Sequence, residues 1–444
     1  MLETKSSGVD WLDKIPASWK IERMKNQFEY TKGLNITKAD LIDVGVAVVS
    51  YGQIHAKNNP GTTLKDEFIR YISPSNEAIT DKAKLCNGDI VFADTSEDYD
   101  GLGNAVYMDR DTETYAGYHT IIARPKEPRY AKFFAYLFQS ESWRSQLRMR
   151  ASGIKVYSVT QRMLNDITLI MPKDTEVEPI CSYLDDRCSK IDTIIAEAKA
   201  SIEEYQKLKQ VVIYETVTKG LDKRIPMKYS GNIHIKDIPI NWNLVNLKYL
   251  LTDIVDCPHE TPNYEVNGSF YVIRTADEDL GFLRSDDNMY RLNKEEYKNR
   301  IRRLSLNKDD IVYGREGERW GLACLVPENN KYCLGQRMMQ FRCDTNVVEP
   351  RFLMWALNSK GTRMQGVVDT IGSTSPHVNI STIRNFQIPC PGIEEQRKIA
   401  KYIDDTNSNI DSIISEKQSL IEDLEAYKKS LIYEVVTGKR KVVA

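Results

Sequence analysis

Residues 183–218 align with residues 402–437 at a constant offset of 219, without a gap, and 17 of the 36 positions are identical. A repeat of this strength constrains the fold more than any local propensity, because it requires one structural unit to be written twice. The identities include Asp185/Asp404, Asp186/Asp405, Asp192/Asp411, Glu197/Glu416 and Ile213-Tyr214-Glu215 against Ile432-Tyr433-Glu434. The same offset reaches upstream through Pro172/Pro391 and Val159/Val378 to Gly153/Gly372. A second marker opens each half: Ser7-Gly8 with Ile15-Pro16, Trp19 and Lys25, against Ser230-Gly231 with Ile238-Pro239, Trp242 and Lys248.

The closing segments read as long helices. Leu184, Cys188, Ile191, Ile195, Ala198, Ile202 and Tyr205 recur at alternating steps of four and three, as do Ile403, Asn407, Ile410, Ile414, Lys417, Ile421 and Leu424. That is the spacing of a coiled-coil seam. At about 1.5 Å per residue each rod is roughly 60 Å long. Thr218-Lys219-Gly220 and Thr437-Gly438 supply the stops. Two such rods in one chain can pair with each other antiparallel, with Asn407 and Lys417 interrupting the second seam and setting register. The doublets Glu394-Glu395 and Asp404-Asp405 read as helix-start charges favoured by the dipole.

Between the markers the halves share only fragments: Asp89-Ile90-Val91-Phe92 against Asp310-Ile311-Val312-Tyr313, and Gly117 with Arg124 against Gly335 with Arg342. Strands are predicted at 44–51, 89–92, 118–123, 167–171, 270–274 and 310–313, with short helices at 130–140 and 350–359. The fold class is α+β: two domains with twisted, mostly antiparallel sheets at residues 1–172 and 222–391, each followed by a long helix at 173–221 and 392–444.

Composition narrows the function. The 61 basic and 63 acidic residues leave a net charge of -2, so the chain lacks the strong positive field of a protein that holds nucleic acid unaided. No apolar run approaches the roughly 18 residues of a membrane span, and the amino terminus lacks a signal-peptide core, so a cytoplasmic protein without membrane contact is expected. The 8 cysteines form no Cys-x-x-Cys pair, and Cys257 with His259 lacks partner ligands, so no metal site is expected. There is no Asn-Pro-Pro-Tyr or Asp-Pro-Pro-Tyr segment, no glycine-rich cofactor loop, and Thr437-Gly-Lys-Arg440 is not a phosphate-binding loop.

These paired openings, a proline-ended strand before each helix and duplicated helices with Ile-Tyr-Glu near their ends resemble the specificity subunit of a Type I restriction-modification system. Cys257-Pro-His-Glu-Thr-Pro262, followed by Tyr271-Val-Ile-Arg-Thr275, resembles a segment common in target-recognition domains of that family. The resemblance implies that each interior is a target-recognition domain reading one half of a split, asymmetric double-stranded DNA site. It also implies that the helices act as spacer and methyltransferase dock. Catalysis would lie in partners: two adenine-methylating modification subunits using S-adenosylmethionine, and restriction subunits using ATP and Mg. The chain itself would carry no cofactor. Alternatives are a coiled-coil protein-binding adaptor or the specificity part of a related modification-only complex.

Two kinds of candidate DNA contact follow. Basic tracks for phosphate are Arg144, Arg148, Arg150 and Lys155 in the first half, and Arg291, Lys294, Lys298, Arg300, Arg302 and Arg303 in the second. Base readers are expected just beyond strand ends: Tyr51, Gln53, His55 and Lys57, then Arg274, Thr275, Arg315 and Arg319. The halves differ most after the shared Asp-Ile-Val fragment, where Asp94-Thr-Ser-Glu-Asp-Tyr-Asp100 stands against Gly314-Arg-Glu-Gly-Glu-Arg319. The acidic version repels phosphate, although a carboxylate can accept from cytosine N4.

Overall fold

The computed structural model describes residues 3–151, 156–370 and 376–442. Its chain divides into two compact units, one formed by residues 1–198 with 419–444 and the other by residues 199–418. The central helix spans Asp174–Lys219 and the distal helix Ile393–Val436. Each unit therefore combines one interior, the start of the helix that follows it, and the end of the other helix.

In the first unit a four-stranded antiparallel sheet runs in the order Ala105–Tyr107, Ile90–Ala93, Thr120–Pro125, Phe28–Lys32. A second sheet pairs Thr114–Ala116 in parallel with Val46–Val49 and continues antiparallel through Arg70–Ile72 to Leu41–Ile42. The second unit repeats this plan. Its four strands are Ala323–Leu325, Ile311–Gly314, Met338–Cys343 and Leu251–Asp256, all antiparallel. Its smaller sheet pairs Tyr332–Leu334 in parallel with Phe270–Ile273, which is antiparallel to Tyr290–Leu292. A two-stranded ribbon precedes each helix, Lys20–Arg23 with Thr168–Met171 and Asn243–Asn246 with Gln387–Cys390. Interiors with little common sequence thus share one topology, apart from strand Leu41–Ile42, which has no counterpart in the smaller sheet of the second unit.

The repeated residues turn out to be the pins of that topology. Asp89 and Asp310 are buried and receive the guanidinium groups of Arg124 and Arg342 at 2.7 Å. The opening tryptophans donate to the first turns of the helices, Trp19 to Glu176 at 2.8 Å and Trp242 to Glu395 at 3.2 Å. Glu395 does stand at a helix start, but Asp404 lies well inside the distal helix and accepts from Trp355 at 2.8 Å. Asp185 takes the Tyr136 hydroxyl in the equivalent way. These aspartates are docking acceptors, not dipole charges.

Seam positions Leu184, Cys188, Ile191, Ile195 and Ala198 are buried, as are Ile403, Asn407, Ile410 and Ile421. The helices run antiparallel within each unit, as Asp192 meets Lys428 in the first and Asp411 meets Lys209 in the second. Lys417 is accommodated by lying over the Tyr205 ring, 5.9 Å from its centroid. The buried Asn407 amide has no hydrogen-bond partner among the described residues.

The predicted strands are present, mostly shorter. The strand at 44–51 ends at Val49, because Ser50 and Gln53 form a capping box that starts the short helix Tyr51–Ile54. Strands such as Met338–Cys343, nearly all buried, lack the alternation by which a strand is recognised in sequence.

Candidate nucleic-acid interface

Parallel pairing brings the ends of two strands in each unit to one edge, where three loops meet. In the second unit these loops follow Phe270–Ile273, Ile311–Gly314 and Tyr332–Leu334. Gly335 donates to the Ile273 carbonyl at 2.8 Å, and Arg315 donates its backbone N–H to the Arg337 carbonyl at 3.1 Å. A Cβ on Gly335 would stand 2.7 Å from the Ile273 oxygen, so the close approach of the loops requires glycine. The first unit builds the same rim. Gly117 donates to the Val49 carbonyl at 2.7 Å and Asp94 to the His119 carbonyl at 3.1 Å. The backbone bond is the same where Arg315 and Arg337 are replaced by Asp94 and His119.

On the second rim the candidates separate by what already holds them. Arg315 is buried, 3.2 Å from Asp256 and 2.9 Å from Glu316, with His377 at 3.4 Å. It ties loops together and is not presented to a ligand. Arg300 is likewise buried, donating to the Glu260 and Leu334 carbonyls at 2.9 and 2.7 Å, which anchors helix Lys294–Arg300 beside the rim. Arg319 donates to the Glu278 carbonyl. Thr275 is half-buried near Gly314. Lys294, Lys298, Arg302 and Arg303 are exposed, and Arg303 reaches the Asp256 carbonyl at 3.0 Å, so this part of the basic track borders the rim. Arg291 lies over the Tyr271 ring at 5.1 Å. Arg274 is held by Asp277 and stacked on Tyr290, 3.8 Å from the ring centroid.

Glu278 sits beneath this rim, fully buried, and neither carboxylate oxygen has a hydrogen-bond partner among the described residues. Burial pushes its pKa well above the ordinary carboxylate range, against the opposing attraction of Arg319.

On the first rim, Tyr51, His55 and Lys57 line an open cleft of about 650 Å³ together with Glu97, Asp98 and Asp100. The acidic loop therefore occupies the place that the Gly314–Arg319 segment takes in the other unit. His55 is fixed by the Thr95 carbonyl at 2.8 Å and Asn104 at 3.1 Å, and Gln53 is engaged in the capping box, accepting from the Ser50 N–H. Arg144 reaches the cleft, but its guanidinium donates to Phe138, Asn104 and Gln139, and burial lowers its pKa to about 10. Arg148 is held by Glu141 and the Asp100 carbonyl. Neither offers a free phosphate contact. Arg150 is exposed and bonds only to the Gln146 carbonyl, at 2.9 Å, among the described residues. Lys155 lies outside the described residues.

Sequence reasoning missed the pair Arg337 and His119. Both have positive φ, 71° and 55°, at matching places two residues after Gly335 and Gly117. Non-glycine residues adopt this conformation rarely, and such positions concentrate at functional sites. The repeated glycines were the available signal.

A Type I restriction modification DNA specificity domain matches residues 251–423. The Type I restriction enzyme MjaVIII specificity subunit of Methanocaldococcus jannaschii is 25% identical over 315 residues, covering 69% of this chain and 70% of that protein. The HsdS subunit from Thermoanaerobacter tengcongensis superimposes with a TM-score of 0.52 at 17% identity, covering 96% of this chain and 98% of that one. A chain from a structural study of complex assembly and conformational transition of the type I R-M system gives a TM-score of 0.70 at 17% identity, covering 97% and 100%.

Two units of like topology each carry a three-loop rim, and the rim side chains differ between them. In sequence and in fold the chain is similar to the specificity subunits of Type I restriction-modification systems, and residues 251–423 match the DNA specificity domain of that family. Among the described residues no helix is long and apolar enough to cross a membrane.

Proposed function

We propose that this chain selects the DNA sequence on which a Type I assembly acts, each rim reading one half of a split, asymmetric site. The observation that carries this is the contrast between a rim backbone kept the same in both units and exposed rim side chains that are unlike: Arg337 in one, His119 beside the acidic loop Asp94–Asp100 in the other. Equal frames suit two copies of one partner, and unequal rims suit two different half-sites. Modification subunits using S-adenosylmethionine would dock on the helices and methylate adenine, and restriction subunits using ATP and Mg would join them. No catalytic role is assigned to the chain itself.

The test is methylation-sensitive single-molecule sequencing of DNA from a host expressing the chain with its modification subunit, and from the same host lacking the chain. A split motif methylated on both strands only when the chain is present is the expected result. No new motif, with an active and bound modification subunit, would overturn the reading.

A further inference from the structure

Arginine reads guanine when its planar fork faces O6 and N7 with two N–H groups at once. That requires the guanidinium to be fixed in plane and direction before binding, since a free arginine loses substantial rotamer freedom on docking. Arg274 meets this requirement within the second rim. Its Nε and Nη2 donate to the two oxygens of Asp277 at 2.8 and 2.7 Å, a side-on bidentate pair. Asp277 is itself buried and held from behind by the Arg274 backbone N–H at 2.9 Å. Tyr290 lies against the guanidinium, 3.8 Å from its ring centroid. The side-on pair uses two of the five N–H groups of the guanidinium and leaves the other three for a ligand. The Arg274 side chain keeps 25% of its surface open.

A phosphate contact needs none of this, because a point charge on a flexible stem serves equally well. The other arginines here do not share the arrangement: Arg300 and Arg315 are buried against several acceptors, while Arg302 and Arg303 have no ring beneath them among the described residues. At the matching place in the first unit, after Val49, stands Ser50.

We propose that Arg274 is a specificity-determining residue that reads one guanine in the half-site of the second unit, with Asp277 and Tyr290 as positioning residues. This rests on the reading of the rim as DNA-facing.

The experiment uses the complete complex with its modification subunits and a panel of duplexes in which each position of the methylated site takes all four bases. Relative methylation rates are measured for wild type, Arg274→Ala and Asp277→Asn. Wild type is expected to require guanine at one position of the second unit's half-site. Arg274→Ala should reduce that preference about ten- to a hundredfold and leave every other position unchanged. Asp277→Asn should weaken the same position by a smaller factor, a pattern that general loosening of the loop would not produce. Unchanged discrimination in Arg274→Ala overturns the proposal, as does a loss spread over several positions or complete inactivity in an intact complex. If the wild-type complex shows no preference at any position, the reading of the chain as a specificity subunit fails instead.

Discussion

Lys209 donates to both carboxylate oxygens of Asp411, at 2.7 and 2.8 Å, and the equivalent residues of the repeat, Lys428 and Asp192, form the same pair at 2.6 and 2.7 Å. One lysine and one aspartate, each written twice, fix the antiparallel register of the helices within each unit. Lys209 keeps only 10% of its side-chain surface, against 21% for Lys428, so less water competes for the first pair. Lys209→Ala is expected to destabilise by about 1–2 kcal/mol and Lys428→Ala by less than about 1 kcal/mol. Exchanging the charges, Lys209→Asp with Asp411→Lys, should recover part of the loss. Urea denaturation of single and double variants measures this, and strictly additive effects would contradict it.

The buried carboxylates Asp89 and Asp310 carry more of the fold. Asp310 also accepts from Gln340 and from the Asn307 N–H, and Asp89 from the Cys86 N–H. Replacing either by alanine strands several donors at once and should cost about 3 kcal/mol or more. Asparagine, which keeps an acceptor, should cost less. The expected readout is a lowered denaturation midpoint in each variant.

Glu278 predicts a pH dependence. In the unfolded chain its carboxyl titrates near 4.5, whereas burial places the folded value well above that. Between the two values the folded state binds a proton that the unfolded state lacks, so this residue makes stability fall as pH rises through that window. Glu278→Gln should remove this slope and raise stability by about 1–2 kcal/mol at the upper end. Denaturation of both proteins at intervals from pH 5 to 8 decides it; parallel curves would contradict the prediction.

The two groups of second-unit cations should behave differently. Alanine at Lys298, Arg302 and Arg303 is expected to weaken DNA binding by the assembled complex about equally for all sequences. The slope of log affinity against log salt should shrink by about 0.9 for each phosphate that these side chains neutralise. Arg300→Ala should instead lower stability, because its partners are the carbonyls of Glu260 and Leu334. A salt slope unchanged in the triple variant would remove these residues from the interface.

The frame was legible in sequence because its working residues are repeated: Trp19/Trp242, Asp185/Asp404 and Arg124/Arg342 could be paired from spacing alone. The rim was only partly legible. Arg300, Arg315 and Arg144 read as surface cations because the groups that hold them, such as Leu334, Asp256 and Asn104, are brought near by topology and leave no mark in local spacing. Arg274 was recognisable as a loop arginine, but its stacking on Tyr290 depends on pairing between Phe270–Ile273 and Tyr290–Leu292.

The most direct test of independent half-site reading is a chain in which residues 15–172 are replaced by a second copy of residues 238–391, expressed with the modification subunit. Sequencing of the methylated DNA should show a motif built from two copies of the half-site now read by the second unit. A folded, active hybrid that still recognises the original asymmetric motif would contradict the account.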